Sequence, residues 1–165
     1  MRFLSRIPAA VLAGAVMAAI GALAWASAMP WLFPSLGPTI AIQSEFADQP
    51  VARPWNVVVG HFIGAAVGIA CVHLTGAIAD PPANVAHLLS VNRIVAGVAA
   101  VAVSMWLQQL LRARHPPAQA TTLLICVGAL DADWRGAGVL AAGIALVALL
   151  GEGVRRVKLR HLASA

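Results

Sequence analysis

The sequence predicts an all-α membrane protein: four transmembrane helices plus two short re-entrant or half helices, arranged as two similar halves. Three observations predict it. Of 165 residues, 61% are hydrophobic and 10% charged, against about 45–50% and about 25% in a soluble domain. The apolar residues fall in runs of about twenty, the length that spans roughly 30 Å of hydrocarbon as a helix. Prolines then interrupt the chain at corresponding places in its two halves. No stretch is polar enough for a second, soluble domain. Residues 1–165 read as a single transmembrane domain with halves at approximately 7–79 and 92–153.

The first span is residues 7–29. Ala26-Ser27-Ala28 looks like a signal cleavage site, but the apolar run exceeds the usual 7–15 residues of a signal core. Ala10, Gly14, Ala18, Ala22 and Ala26 recur every four residues, which predicts a helix-contact face. Prolines at 30, 34 and 38 then break the helix. Ser35-Leu36-Gly37-Pro38-Thr39 reads as a helix start, with Ser35 as its cap and proline in its first turn. The apolar piece that follows is too short to span and meets Glu45 and Asp48. It is either an external loop or a re-entrant helix whose N-terminus points into a cavity.

The second span is residues 55–79. Gly60, Gly64 and Gly68 form two overlapping GxxxG units. His61 and His73 lie about 120° apart around this helix, so no metal site is predicted from the pair. His61 is costly in lipid and must face protein or water. Asn56 is a candidate hydrogen-bonding partner at the mouth. The third span, residues 92–111, carries Ser104, Gln108 and Gln109 toward its end. The apolar piece at 118–130 is about 20 Å long as a helix, too short to cross. Asp131, Asp133 and Arg135 form a polar turn, and the final span begins at 136–151.

Arg2 and Arg6 start the chain, and Arg155, Arg156, Lys158 and Arg160 close it. This bias predicts both termini in the cytoplasm. Four crossings follow, with the Glu45/Asp48 loop outside. Arg112 and Arg114 are then also outside, against the rule, as if kept for another purpose. Topology accounts for most of the net charge of +5, so nucleic-acid binding is not predicted. Cys71 and Cys126 lie in apolar sequence without metal-ligand spacing and read as packing residues. No cofactor is implied.

The chain turns on residues 112–127, RARHPPAQATTLLICV. Arg112, Arg114 and His115 precede a rigid Pro116-Pro117 pair, and Thr121 lies one turn into the short helix. Paired interrupted segments in two halves point to a transporter's binding site. Each short helix carries about half a positive charge at its N-terminus. Two of them converging near these cations would hold an anion. The candidate site is Arg112, Arg114, His115, Pro116, Pro117 and Thr121 from the second half, with Ser35, Gly37, Thr39, Asn56 and His61 from the first. Expected partners are membrane lipid and a small anion; a homo-oligomer is left open. The leading function is a carrier or channel for a small anion. The second is a structural or sensing module that conducts nothing, in which Arg112 and Arg114 bind lipid headgroups, or Arg112 pairs with Glu45 or Asp48. An intramembrane enzyme is disfavoured, because no Ser, Cys or carboxylate sits near His115 in sequence.

The pattern Arg112-x-x-His115-Pro116-Pro117-Ala118-x-Ala120-Thr121 resembles the HPP family of integral membrane proteins. Ser35-Leu36-Gly37 and the stretch from Asn56 to His61 resemble it too, and the likeness covers nearly the whole chain in order. The resemblance implies a four-span membrane protein. It also implies a link to nitrite transport, which some chloroplast and cyanobacterial members have; a bacterial inner membrane is the expected location here. One departure is Gln119, where the family usually has glycine. A larger polar side chain there narrows or re-tunes the mouth.

Overall fold

The computed structural model describes residues 8–130 and 132–163, without the side chain of His161. Arg2, Arg6, the first residue of the expected span at Ile7, and Asp131 lie outside the described residues. Among the described residues there are seven helices: α1 (Ala9–Ser27), α2 (Leu36–Glu45), α3 (Pro54–Leu74), α4 (Ala83–Ala86), α5 (Val91–Leu110), α6 (Ala118–Cys126) and α7 (Trp134–Leu162). Helices α1, α3, α5 and α7 are long and apolar enough to cross a membrane. Helices α2 and α6, of ten and nine residues, are not.

Local chemistry sets the ends. Helix α3 stops at Leu74 rather than 79 because Gly76 takes a left-handed turn at φ 73°, followed by a 3-10 turn over Ala77–Ala79. Helix α6 stops at Cys126 rather than 130. Gly128, at φ 76°, donates to the Ile125 carbonyl, and Ala129 donates to that of Leu124, the paired bonds of a Schellman ending. Helix α5 starts on a true cap: the Ser90 hydroxyl accepts the Arg93 N–H. At 29 residues α7 is about 43 Å long. Its last turns, where Glu152 pairs with Arg155 and Arg156, therefore reach past a 30 Å hydrocarbon layer.

The crossings differ from the sequence expectation. Ala9 at the start of α1 shares a cavity with Glu45 at the end of α2 and with Lys158 and Leu162 at the end of α7. Val51 and the start of α3 follow a few residues after Glu45. The Asn56 side chain reaches the carbonyls of Arg114, at 2.9 Å, and Arg112, at 3.5 Å. All of these groups occupy one end of the molecule, the basic end. At the opposite end, Arg93 of α5 bonds to the carbonyls of Asp80, Pro81 and Cys126. Helices α1 and α3 thus run away from the basic end, and α5 and α7 run back toward it. The segments at 28–53 and 111–133 must each traverse the full thickness, so they are broken crossings and not re-entrant loops. Two expectations fall with this. The Glu45/Asp48 loop lies at the same end as the start of α1 and the end of α7, and so do Arg112 and Arg114. No topology violation remains to be explained.

The segments α1–α2–α3 and α5–α6–α7 start from opposite ends and so run with inverted topology. Each half's last helix cradles the other half's short helix. A Cβ on Gly60 would lie 2.8 Å from that of His115, one on Gly64 2.6 Å from Thr122 Oγ1, and one on Gly68 3.2 Å from the Thr122 carbonyl. Helix α6 is seated on this stripe. On α7, Gly143 makes room for Phe33, and Gly151 for Gln43 of α2. The predicted contact face of α1 is not one: Ala10, Gly14, Ala18, Ala22 and Ala26 are exposed, while Val16 and Ile20 are buried. Branched side chains fill the gap to α2 and α7, and the small residues face outward.

Gly64→Ala should therefore destabilise the fold by about 1–3 kcal/mol through overpacking. Gly14→Ala, where nothing lies within 4 Å of the added methyl, should leave it unchanged. Thermal unfolding of the two variants in detergent, monitored by size-exclusion chromatography, checks this.

Candidate functional site

The broken crossings bring two short-helix N-termini together inside the molecule. Helix α2 runs from there to the basic end, along α7. Helix α6 runs from there to the opposite end, along α3. Where they meet, polar side chains from four segments form one hydrogen-bonded chain. His115 Nδ1 lies 2.8 Å from the Val51 carbonyl, and its Nε2 lies 3.0 Å from Thr39 Oγ1. Thr39 Oγ1 is also 3.0 Å from His61 Nε2. His61 Nδ1 is 2.8 Å from Thr121 Oγ1, which is 2.9 Å from Ser35 Oγ. The two imidazoles are 5.0 Å apart between centroids and inclined at 59°. His61, His115, Thr39 and Thr121 are 0% exposed, and Ser35 is 1% exposed.

Sequence and packing explain each position. Gly60 lets the His115 Cβ and the Ala113 carbonyl approach α3, which sets the two rings side by side. Gln108 on α5 fixes the loop: its Nε2 donates to the Gly60 carbonyl at 3.3 Å, and its Oε1 accepts the His115 N–H at 3.1 Å. Pro116-Pro117 turns the chain straight into α6. The N–H groups of Ala118, Gln119 and Ala120 are bonded to the carbonyls of His115, Pro116 and Pro117. They are not offered to a ligand, as the sequence suggested, because the first turn is wound tightly enough to close its own bonds. Ser35 does not cap α2; its hydroxyl meets Thr121 instead.

Beside His115 an open cavity of about 310 Å³ faces the basic end. Arg114, His115, Pro116, Gln108, Gln109 and Gln119 line it, with Met105. Ser104 donates to Gln119 Oε1 at 2.8 Å, so the side chain that departs from the family pattern is pinned at this mouth. A second cavity, about 120 Å³, lies at the opposite end and is lined in part by Asp80, Arg93 and Gly128. The buried hydrogen-bonded chain lies between the two ends.

Of the candidate residues, Ser35, Thr39, His61, His115 and Thr121 come together in the chain, and Arg114 and Pro116 line the cavity. Pro117 is buried at the start of α6, and Gly37 is half-buried on α2 with open space around it. Asn56 is buried but serves the backbone of the 112–114 loop. Arg112 does not face the chain. It is exposed and sits at φ 51° just past α5. There its N–H donates to Gln109 and that of Ala113 to Gln108, a Schellman ending. Its charge lies by the helix C-terminus, where a cation is favourable. No ion pair among the described residues joins Arg112 to Glu45 or Asp48, both of which are exposed. His73 is exposed, away from His61. Both cysteines are free. Among the described residues no group of His, Cys, Asp or Glu is arranged to hold a metal ion.

Two residues were missed. Arg93, 5% exposed, clamps the C-terminal carbonyl of α6 to the connection at Asp80-Pro81, and only a glycine at 128 leaves room for its guanidinium. A lone arginine in the first turn of an apolar span was the available signal. Val51 contributes a main-chain carbonyl, for which a sequence carries no signal.

A helical chain with four spanning helices and two broken crossings is an integral multi-pass membrane protein. The family described as "HPP, transmembrane region" matches residues 2–162, and the chain belongs to it. A transmembrane protein of Dictyostelium discoideum is 37% identical over 92 residues, 53% of this chain and 27% of that protein. The match thus spans about a quarter of the relative's length. No solved structure matches.

Arg112→Gly should keep or raise thermal stability. It removes a left-handed conformation that costs an L-residue about 1–2 kcal/mol, against a smaller helix-end charge effect of about 0.3–1 kcal/mol. A fall of several degrees in a thermal melt of the purified variant would contradict this role for Arg112.

Proposed function

We propose that this protein is a carrier of a small inorganic anion, nitrite or one like it, and not an enzyme. The observation that supports this most is the open cavity lined by Arg114 and His115, beside the buried junction where the α2 and α6 N-termini meet. A cation focused in a cleft raises the local concentration of anions. Arg114 is the collecting charge, His115 forms the floor of the cavity, and Gln119 trims its width. Passage beyond the floor needs the junction to open, as one inverted half rocks against the other.

Lysine and arginine bias supports a cytoplasmic basic end. Arg53, Arg112, Arg114, Arg155, Arg156, Lys158 and Arg160 lie there, whereas Arg135 and the buried Arg93 lie at the other end. In this reading the protein sits in a bacterial inner membrane with both termini in the cytoplasm, in contact with lipid. A second reading, a module that conducts nothing, is favoured by the seal itself, since the junction residues are entirely buried.

Nitrite uptake into proteoliposomes separates the two. The wild-type protein should accelerate uptake over protein-free vesicles, and Arg114→Gln should reduce it about ten-fold without lowering thermal stability. Uptake equal to the protein-free background would overturn the carrier reading.

The topology is tested separately. Cysteines placed at Asp48, Arg114 and Ala163 should all react with a membrane-impermeant maleimide from the cytoplasmic side only, and one at the exposed Asn84 of α4 only from outside. Reaction of the Asp48 and Arg114 positions from opposite sides would sink it.

A further inference from the structure

The hydrogen-bonded chain fixes its own proton positions. The Val51 carbonyl can only accept, so His115 Nδ1 carries a proton and donates to it at 2.8 Å. In a neutral His115 the Nε2 is then a bare acceptor, and the Thr39 hydroxyl must donate to it. Thr39 has one hydroxyl proton, yet His115, His61 and the Ser35 carbonyl all lie within hydrogen-bond distance. The Ser35 carbonyl, 2.9 Å from the hydroxyl, already receives the Thr39 N–H at 3.3 Å, whereas the bare His115 Nε2 has no other donor, so the hydroxyl proton turns to His115. Once it points at His115, the His61 Nε2 must be the N–H that donates to Thr39 Oγ1. His61 Nδ1 is then an acceptor for Thr121, and Thr121 an acceptor for Ser35. Every donor in the neutral chain points toward Val51, with no polar atom left over.

We infer that the Ser35–Thr121–His61–Thr39–His115 chain relays one proton across the junction to His115 and couples anion passage to it. The step balances. Ser35 is 1% exposed at rest, so water reaches it when the halves part; a proton from that water joins Ser35 Oγ, and the Ser35 proton moves to Thr121. The Thr121 proton moves to His61 Nδ1, the His61 Nε2 proton to Thr39, and the Thr39 proton to His115 Nε2. One proton enters and one imidazolium is formed. Every bond has reversed: His115 donates to Thr39, Thr39 to His61, His61 to Thr121, and Thr121 to Ser35. The second arrangement keeps the four bonds inside the chain and leaves the Ser35 hydroxyl proton, at the entry point, as the one donor that has lost its acceptor. The charge ends on His115, on the floor of the Arg114 cavity, where an anion would sit.

Few other charges face these rings. They face each other, and Arg114 lines the cavity on the His115 side. On the surrounding elements, Glu45 of α2, Arg53 before α3 and Arg112 after α5 are exposed. Arg93 of α5 is bonded at the opposite end. On α7, Glu152 is paired with Arg155 and Arg156. Helix α6 carries no ionisable group except Cys126, which packs in the apolar core.

The coupling rests on the carrier reading; the relay does not, and one experiment on each separates them. The first is 15N NMR of the full chain in lipid nanodiscs, histidine-labelled, with His73, His87 and His161 replaced by glutamine. At alkaline pH His115 should be the Nδ1–H tautomer and His61 the Nε2–H tautomer. As acid adds the second proton to His115, His61 should switch to Nδ1–H in the same titration step. Thr39→Val should unlink the two, and Thr39→Ser should keep them linked. His115 found as Nε2–H, or His61 unchanged while His115 becomes doubly protonated, would overturn the relay. The second measures nitrite uptake and internal pH together in proteoliposomes, against protein-free vesicles that give the nitrous-acid leak. One proton should accompany each nitrite above that background. In Thr39→Val this co-uptake should fall at least ten-fold, and Thr39→Ser should restore it. Nitrite uptake without protons overturns the coupling but leaves the carrier; linked tautomers without nitrite uptake leave the relay but remove the carrier.

Discussion

Everything at the centre of this protein follows from Thr39 standing between two buried histidines. A hydroxyl or imidazole taken out of water without a partner costs several kcal/mol in an apolar medium. His61, His115, Thr39 and Thr121 are all fully buried, so each must find its partners within the group. Thr39 serves both rings at 3.0 Å, and the rings reach out to Thr121 and to Val51. Moving any one of these atoms by an ångström orphans its neighbours. The fold around the group is the apparatus that prevents such a movement.

That apparatus is mostly glycine and main chain. Lipid supplies no hydrophobic force between helices, so close packing has to hold them. Gly60, Gly64 and Gly68 let α6 lie directly on α3, and Gly143 and Gly151 accept α2 on α7. Each half thereby holds the other half's short helix, which links the halves through the junction. Arg93 and Gln108 secure the ends. Arg93 bonds the last carbonyl of α6, and Gln108 bonds the backbone that leads into it. A buried arginine is tolerable there because three carbonyl oxygens surround it.

The same economy explains why Arg112 and Arg114 part company although they are two residues apart. Arg112 is spent on ending α5, in a left-handed turn with its charge at the helix terminus. Arg114 falls beyond that turn, where its side chain lines the cavity. Neither needs an acid partner, since both are exposed. Gln43 is the residue that fits least well. It is fully buried against Gly151 with both amide atoms unpartnered, and nothing in the structure explains why a polar side chain stands there.

By itself the sequence determined the helical membrane fold, the four spans, the two interrupted segments and the glycine stripe on α3. These are local properties: run length, proline placement and a four-residue spacing. Ser35, Thr39, His61, His115 and Thr121 were legible as polar residues that lipid would not tolerate. Their mutual pairing was not, because it joins residues 22 to 86 positions apart. The direction of each crossing was decided only by the tertiary structure. Counting apolar runs treats a broken segment as a loop, whereas α2 and α6 with their extended leads traverse the whole thickness, which reverses the side on which Arg112 and Arg114 emerge. The small residues of α1 misled for a related reason. Spacing shows that a helix has a smooth face, but only its neighbours decide whether that face is turned toward protein or toward lipid.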